Sequence, residues 1–170
     1  MQHTVFISIG SNIGDRLKNC KKAIENLVNR KRIKLIKASS FYETEPWGEI
    51  AQDWFINYVV QIETTFDAKA VLNLLQSIEN GFGKKRIKKG GPRIIDFDIL
   101  FFDEEVIGTE NLNVPHPLLH KRRFVLMPLN EIASNFVHPV LKRSVANLLK
   151  GLDDSKKVAR YYNLKLTGNE

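Results

Sequence analysis

Cysteine is all but absent from this chain: Cys20 stands alone in 170 residues. A single thiol excludes an intrachain disulfide framework and cannot build a thiolate zinc site. Cys20 shares a helical stripe with Leu17, Ile24, Leu27 and Val28, where a thiol packs a core rather than reacts. Long apolar runs are missing too, so no segment is long enough to cross a bilayer. Met1 leads straight into a strand-like stretch, without the basic, apolar and small-residue regions of a secretory leader. A soluble, cytoplasmic protein is therefore expected. There is no fixed-period repeat, no low-complexity tract and no Pro/Ser-rich linker. Neither a Gly-x-x-x-x-Gly-Lys-Ser/Thr loop nor a Gly-x-Gly-x-x-Gly fingerprint occurs. No Ser/His/Asp or Cys/His nucleophile arrangement can be argued. His3, His120 and His138 lack metal-ligand spacing and read as structural residues.

What is present is ordinary in bulk and unusual in detail. The length predicts one domain with a real core, and 43% of residues are hydrophobic. Lys and Arg total 26 against 19 Asp and Glu, a net charge of +7. That balance suits an anionic partner: nucleotide, nucleic acid or acidic membrane. The basic residues cluster at 30–37, 84–93, 121–123 and 156–160.

The patterning predicts a strand over 3–9, a turn at Gly10-Ser11-Asn12-Ile13-Gly14-Asp15 with a helix cap, and an amphipathic helix over about 15–30. A second strand is expected over 33–42, a loop over 43–53 and a third strand over 54–64. Asp67 caps a second helix that buries Val71, Leu74, Leu75, Ile78 and Phe82. A second long loop covers 83–93. A further strand follows, then a turn at Asp103-Glu104 and a short partner strand near Val106-Ile107. Short helices are expected near 129–133 and 144–150. The order strand, helix, strand, strand, helix, strand matches an α+β, ferredoxin-like βαββαβ core, with its helices on one face of a mainly antiparallel sheet. Both long loops exceed ordinary connection lengths, which marks them as candidate lids.

The sharpest signal is Asp96 and Asp98, in Pro92-Arg93-Ile94-Ile95-Asp96-Phe97-Asp98-Ile99-Leu100. Alternate strand residues share a face, so two carboxylates project side by side from an apolar element. They need a counter-charge, or one must take up a proton. Mg²⁺ meets that need, since it takes one or two carboxylates together with phosphate oxygens and water. The alternative is a pair of strand-end acids neutralised by Arg93 or a lysine. Just upstream, Lys84-Lys85-Arg86-Ile87-Lys88-Lys89-Gly90-Gly91-Pro92-Arg93 supplies mobile cations. Arg86 and Arg93 can grip phosphate through two parallel hydrogen bonds, and Lys84 and Lys85 as point charges. Phe55 and Asn57 share a face of the third strand, where they could stack on a heterocycle and read its edge. His116, between Pro115 and Pro117, is either a turn residue or a phosphate donor.

Those residues resemble the 6-hydroxymethyl-7,8-dihydropterin pyrophosphokinase family of folate biosynthesis. Gly91 to Leu100 resembles its signature, Gly10-Ser11-Asn12 its first turn, and Ser40 to Gly48 its second strand and loop. Phe55-Ile56-Asn57, Ile78-Glu79, Gly83 to Arg86, Val114 to Pro117 and Arg122-Arg123-Phe124 match in order. The resemblance covers most of the chain and implies a single pyrophosphokinase domain over 1–170, its tail past about 151 unassigned. It implies transfer of the β,γ-pyrophosphoryl group of ATP to the pterin hydroxymethyl oxygen, with release of AMP. It further implies that Asp96 and Asp98 hold two Mg²⁺ ions. Lys84, Arg86, Arg93, His116 and Arg122 would contact phosphates, with Arg86 and Arg93 acting in catalysis. Gln76 and Glu79 would lie near the nucleoside, and Ile99 against adenine. Phe55 and Phe124 would sandwich the pterin. Asn57, Thr44 and backbone near Gly10 and Glu45 would read its edge, with Pro46 and Trp47 completing the wall. Against the family pattern, Lys84 stands for arginine, Phe97 for an aliphatic residue and Phe55 where a tyrosine can occur. The basic loop is short and lacks an aromatic that some members carry. No nucleic acid or membrane partner is implied, and monomer is the default.

A rival of another class is an RNA-recognition module, which shares the βαββαβ order and the charge. It would need exposed aromatics where this chain puts two acids. A metal-dependent nuclease or glycosyltransferase could also use Asp-x-Asp, but neither explains Phe55 with Asn57.

Overall fold

The computed structural model describes residues 1–83 and 90–162. Lys84, Arg86 and most of the basic loop lie outside the described residues.

The sheet is built around β1 (His3–Ser11). It runs antiparallel to β4 (Phe55–Thr64) on one side and to β5 (Asp96–Phe102) on the other. β2 (Ile33–Ala38) and β3 (Tyr42–Thr44) both pair with β4, along its later and earlier halves. The resulting order, β5-β1-β4 with β2 and β3 beyond, is the ferredoxin-like arrangement that the element order predicts. α1 (Arg16–Val28) and α2 (Ala68–Gly81) cross between strands, each capped by an aspartate: Asp15 accepts from Lys18 N–H and Asp67 from Ala70 N–H.

Residue parity decides which face each side chain takes. Val5, Ile7 and Ile9 pack with Ile56, Tyr58, Phe97 and Ile99 beneath Cys20, Leu27, Val71 and Leu75 of the two helices. The intervening residues Phe6, Val59, Leu100 and Phe101 form a second cluster on the opposite face. A bulge in β5 lets Leu100 and Phe101 both join it: Phe6 pairs with Phe101 while Ile7 pairs with Ile99. Each fully buried aliphatic side chain is worth roughly 1.5–3 kcal/mol. A one-residue slip of β5 would bury Asp96 and Asp98 in place of Phe97 and Ile99. Apolar packing on the helix side therefore holds the carboxylates on the other.

Several expectations need correction. The second strand is two strands, because Ser39 breaks the ladder: its hydroxyl accepts the Val59 N–H at 2.9 Å. The short strand after Asp103 does not pair with the aspartate strand; β6 (Ile107–Gly108) pairs with β7 (Asn113–Val114) in a separate ribbon. The helix expected near 129–133 is α3 (Arg123–Ala133), a full turn and more longer, with Pro128 buried inside it. α3 and α4 (Val145–Lys150) cover the sheet face opposite α1 and α2, so helices lie on both faces. That covered face is the one an RNA-recognition module would need open. The tail adds β8 (Val158–Arg160), paired with β3. His3 Nδ1 lies 2.6 Å from Asp103 Oδ2, and Glu105 stands close enough to offer a third donor atom beside them.

Candidate active site

α3 and α4 leave one end of their sheet face bare. There, Gly10 of β1 lies between Asn57 of β4 and Asp96 of β5. A cavity of about 250 Å³ opens over this end. Gly10, Thr44, Glu45, Trp47, Phe55, Asn57, Arg93, Asp96, Asp98, His116, Arg122 and Phe124 all line it. The structure thus gathers most of the residues picked from the sequence. A larger hollow of about 720 Å³ shares Trp47 with it but contains neither strand carboxylate.

The cavity has two chemically different ends. At one, Phe55, Phe124 and Trp47 offer ring faces beside two buried polar side chains, Thr44 and Asn57. Asn57 Nδ2 donates to Thr44 Oγ1 at 2.7 Å. That bond leaves its second N–H and its carbonyl for a ligand edge. Gly10 permits the close approach, since a Cβ there would sit 2.3 Å from Asn57 Oδ1.

The other end carries the charges. Asp96 is ion-paired with Arg93. Burial, followed by repulsion from Asp96, pushes the Asp98 carboxyl up to about 7, although Arg122 and Arg93 pull the other way. His116 Nε2 lies 3.8 Å from Asp98 Oδ1. Its Nδ1 accepts the Leu118 N–H at 3.1 Å, which assigns the ring proton to Nε2, facing the site. Burial and the nearby Arg122 charge lower His116 to about 4, so the ring is a neutral donor at pH 7. Arg122 is half-sandwiched, its guanidinium carbon 4.8 Å from the Trp47 ring centre and 5.5 Å from that of Phe124. Its Nε is buried with no protein partner. Two carboxylates on one face, with no sulfur nearby and a neutral imidazole, form a hard oxygen donor set that fits Mg²⁺.

Four expected residues among those described do not line the cavity: Pro46, between the lining residues Glu45 and Trp47, and Ile99, Gln76 and Glu79. Ile99 turns its side chain into the helix-side core, as its parity opposite Asp98 requires, so a side-chain contact with adenine there is not supported. Gln76 is exposed on α2. Glu79 is buried, and its Oε1 accepts the Phe97 N–H at 2.9 Å. It thus holds the outer edge of the aspartate strand between the two carboxylates, a positioning role that the sequence did not suggest. Ser8, Gln52 and Gly90 line the cavity without having been singled out.

Asn12 was read only as a turn residue, yet it ties both long loops to β1. Its Nδ2 donates to Gln52 Oε1 and to the Asp53 carbonyl, each at 2.9 Å. Its Oδ1 accepts the Arg93 N–H at 2.8 Å, and its own N–H reaches the Arg93 carbonyl. Gln52 in turn donates to the Gly90 carbonyl. An Asn12→Ala variant keeps the backbone bond to Arg93 but leaves the Asp53 carbonyl and the Arg93 N–H without their side-chain partner and frees Gln52 Oε1, a loss of about 1–3 kcal/mol. The expected result is a lower Tm in thermal melts, with KM raised for both substrates, because both loops lose the same anchor.

Comparison with known proteins agrees with this geometry. Residues 6–134 match the family model described as 7,8-dihydro-6-hydroxymethylpterin-pyrophosphokinase. A 2-amino-4-hydroxy-6-hydroxymethyldihydropteridine pyrophosphokinase of Bacillus subtilis is 44% identical over 132 residues, 78% of this chain and 79% of that protein. The protein of the same name from Aquifex aeolicus is 41% identical over 140 residues, 82% of this chain and 86% of its own. Among solved structures, a Plasmodium falciparum HPPK-DHPS protein superposes with a TM-score of 0.72 at 17% identity. That match covers 88% of this chain and 43% of the longer Plasmodium chain, and it shows the shared fold. With the matched span covering both strand carboxylates and the aromatic end of the cavity, this chain belongs to the 7,8-dihydro-6-hydroxymethylpterin-pyrophosphokinase family.

Proposed function

We propose that the two ends of the cavity divide the family's reaction between them. That reaction is transfer of a pyrophosphoryl group to 6-hydroxymethyl-7,8-dihydropterin, a step of folate biosynthesis. The observation that carries the assignment is the juxtaposition itself: aromatic faces and a buried Asn-Thr pair at one end, two carboxylates and three cationic or donor groups at the other.

Phe55 and Phe124 hold the flat pterin between them, and Asn57 with Thr44 reads its amide edge. Asp96 and Asp98 hold magnesium, two ions by resemblance, which would neutralise triphosphate charge and orient the reacting oxygens. Arg93, Arg122 and the Nε2–H of His116, gathered beside the carboxylates, grip phosphate oxygens. Arg93 must leave Asp96 to do so, exchanging one anionic partner for another. Lys84 and Arg86 would add phosphate contacts from the loop outside the described residues. Positioning and electrostatics supply the rate in this reading. Action as a monomer is part of this proposal. No helix among the described residues is long and apolar enough to cross a membrane, and cytoplasmic action on water-soluble substrates is part of this proposal.

The test is a product assay. Purified protein is incubated with ATP, Mg²⁺ and 6-hydroxymethyl-7,8-dihydropterin, and the nucleotides are separated by chromatography. AMP is expected only when pterin and metal are both present. ADP in place of AMP, or no nucleotide product from folded protein, overturns the assignment.

A further inference from the structure

The chain runs on beyond residue 134, where the family match ends, and its later residues return to the pterin end of the cavity. β8 pairs antiparallel with β3, setting Thr44 opposite Val158 and Tyr42 opposite Arg160. The pairing extends past both strand ends. Tyr161 N–H donates to the Phe41 carbonyl at 2.8 Å, and Glu45 N–H donates to the Lys157 carbonyl at 2.9 Å. The Glu45 side chain answers in kind. Its Oε2 accepts the Lys157 N–H at 3.0 Å, and its Oε1 lies 3.6 Å from Lys156 Nζ. Glu131 of α3 makes a second knot. It accepts from the Ser40 N–H at 3.0 Å, the Ser40 hydroxyl at 2.7 Å and the Tyr42 hydroxyl at 2.5 Å. Arg160 Nη2 stands 3.9 Å from the same carboxylate.

β3 needs this help. It is three residues long, and so short a strand paired on one side only is marginal. Yet it carries Thr44, which fixes the Asn57 amide, and it launches the Glu45–Trp47 wall of the cavity. We infer that Lys156–Arg160 is a positioning strut for the pterin end: it fixes Thr44 and the Glu45–Trp47 wall, and through Thr44 the Asn57 amide. The inference rests on assigning that end to the heterocycle. None of the strut residues lines the cavity, so they act through β3.

The test reverses the two tail charges together, Lys156→Glu with Arg160→Glu, against a conservative control, Lys156→Arg with Arg160→Lys. Exposed ion pairs are individually weak, so the reversal is expected to raise the pterin KM about fivefold, leaving kcat and the ATP KM within about twofold. The control should match the parent protein. Amide hydrogen exchange over residues 42–47 should quicken in the reversal variant alone. Unchanged exchange and unchanged pterin KM overturn the strut. So does an equal loss for ATP and pterin with a lowered Tm, which marks a general loss of stability. If the parent protein makes no AMP, the proposed function fails separately, and exchange over 42–47 alone decides: faster supports the strut, unchanged overturns it.

Discussion

Asp98→Asn is expected to cut AMP formation by about a thousandfold or more while raising the Tm of the metal-free protein at pH 8. The kinetic loss follows from the site's dependence on charge. Asparagine keeps the shape and the face of the strand but removes the negative charge that a hard cation needs. The gain in stability follows from the cost of that charge in the folded, metal-free state. Burial and Asp96 raise the Asp98 carboxyl from 3.8 to about 7. Between those values the folded protein holds a proton that the unfolded chain has lost. The associated stability is fully present below about pH 4 and is lost as pH rises through about 7. At pH 8 the Asp98 carboxyl is therefore charged beside Asp96, and the asparagine variant escapes that repulsion. Asp98 keeps 37% of its side-chain surface open to the cavity. Water there screens the charge, so the rise in Tm is small. Added Mg²⁺ should stabilise the parent protein more at pH 8 than at pH 6 and should leave the variant unmoved. Melts at both pH values, with and without metal, check each arm. A variant that unfolds, or one that keeps turning over, would mean that the pair is structural and that chemistry lies elsewhere.

The legibility of this site in the sequence was uneven, for physical reasons that differ by residue. Asp96 and Asp98 were readable because strand parity is a local rule, and Phe97 and Ile99 between and beyond them supply the apolar contrast. The same rule sends Ile99 to the helix side, so the adenine contact carried over by family resemblance was at odds with the local pattern. Phe55 and Asn57 were readable for the same reason as the aspartates. Asn12 and Glu79 were not. Each acts through hydrogen bonds to residues far away in sequence, Asn12 to Arg93 and Glu79 to Phe97. No periodicity encodes such a bond. α3 starts earlier than expected, at Arg123, although a proline such as Pro128 is ordinarily a first-turn residue. In the fold it sits mid-helix, buried on the sheet, where packing outweighs its missing N–H. The tail was unreadable because three residues of strand carry almost no pattern, and β8 exists only where β3 offers its free edge.

Gly10→Ala is the second large effect expected, and it separates the two ends of the cavity. The strand could accept alanine by backbone geometry, so the penalty comes from what the methyl meets. It would stand 2.3 Å from Asn57 Oδ1, 3.3 Å from Asn57 Cγ and 3.6 Å from Phe55 Cδ1. Asn57 cannot easily yield, being buried and held by Thr44 Oγ1. Either the amide is pushed off its reading position or β1 and β4 move apart. Overpacking of this kind costs about 1–3 kcal/mol of stability. The pterin KM should rise about a hundredfold, since the amide moves and the methyl takes ligand space, a loss of about 2.7 kcal/mol. The added methyl points at Asn57 and Phe55 rather than at the carboxylates, so on the proposed division of the cavity affinity for an ATP analogue with Mg²⁺ should change little. The double variant Gly10→Ala with Asn57→Ala tells strain from recognition. Removing the amide removes the clash, so stability should recover non-additively. Pterin affinity should stay lost, because the group that reads the ring edge is gone. Recovery of both would mean that Asn57 only fills space. Retention of full pterin affinity in Gly10→Ala alone would mean that the heterocycle does not lie over this strand at all.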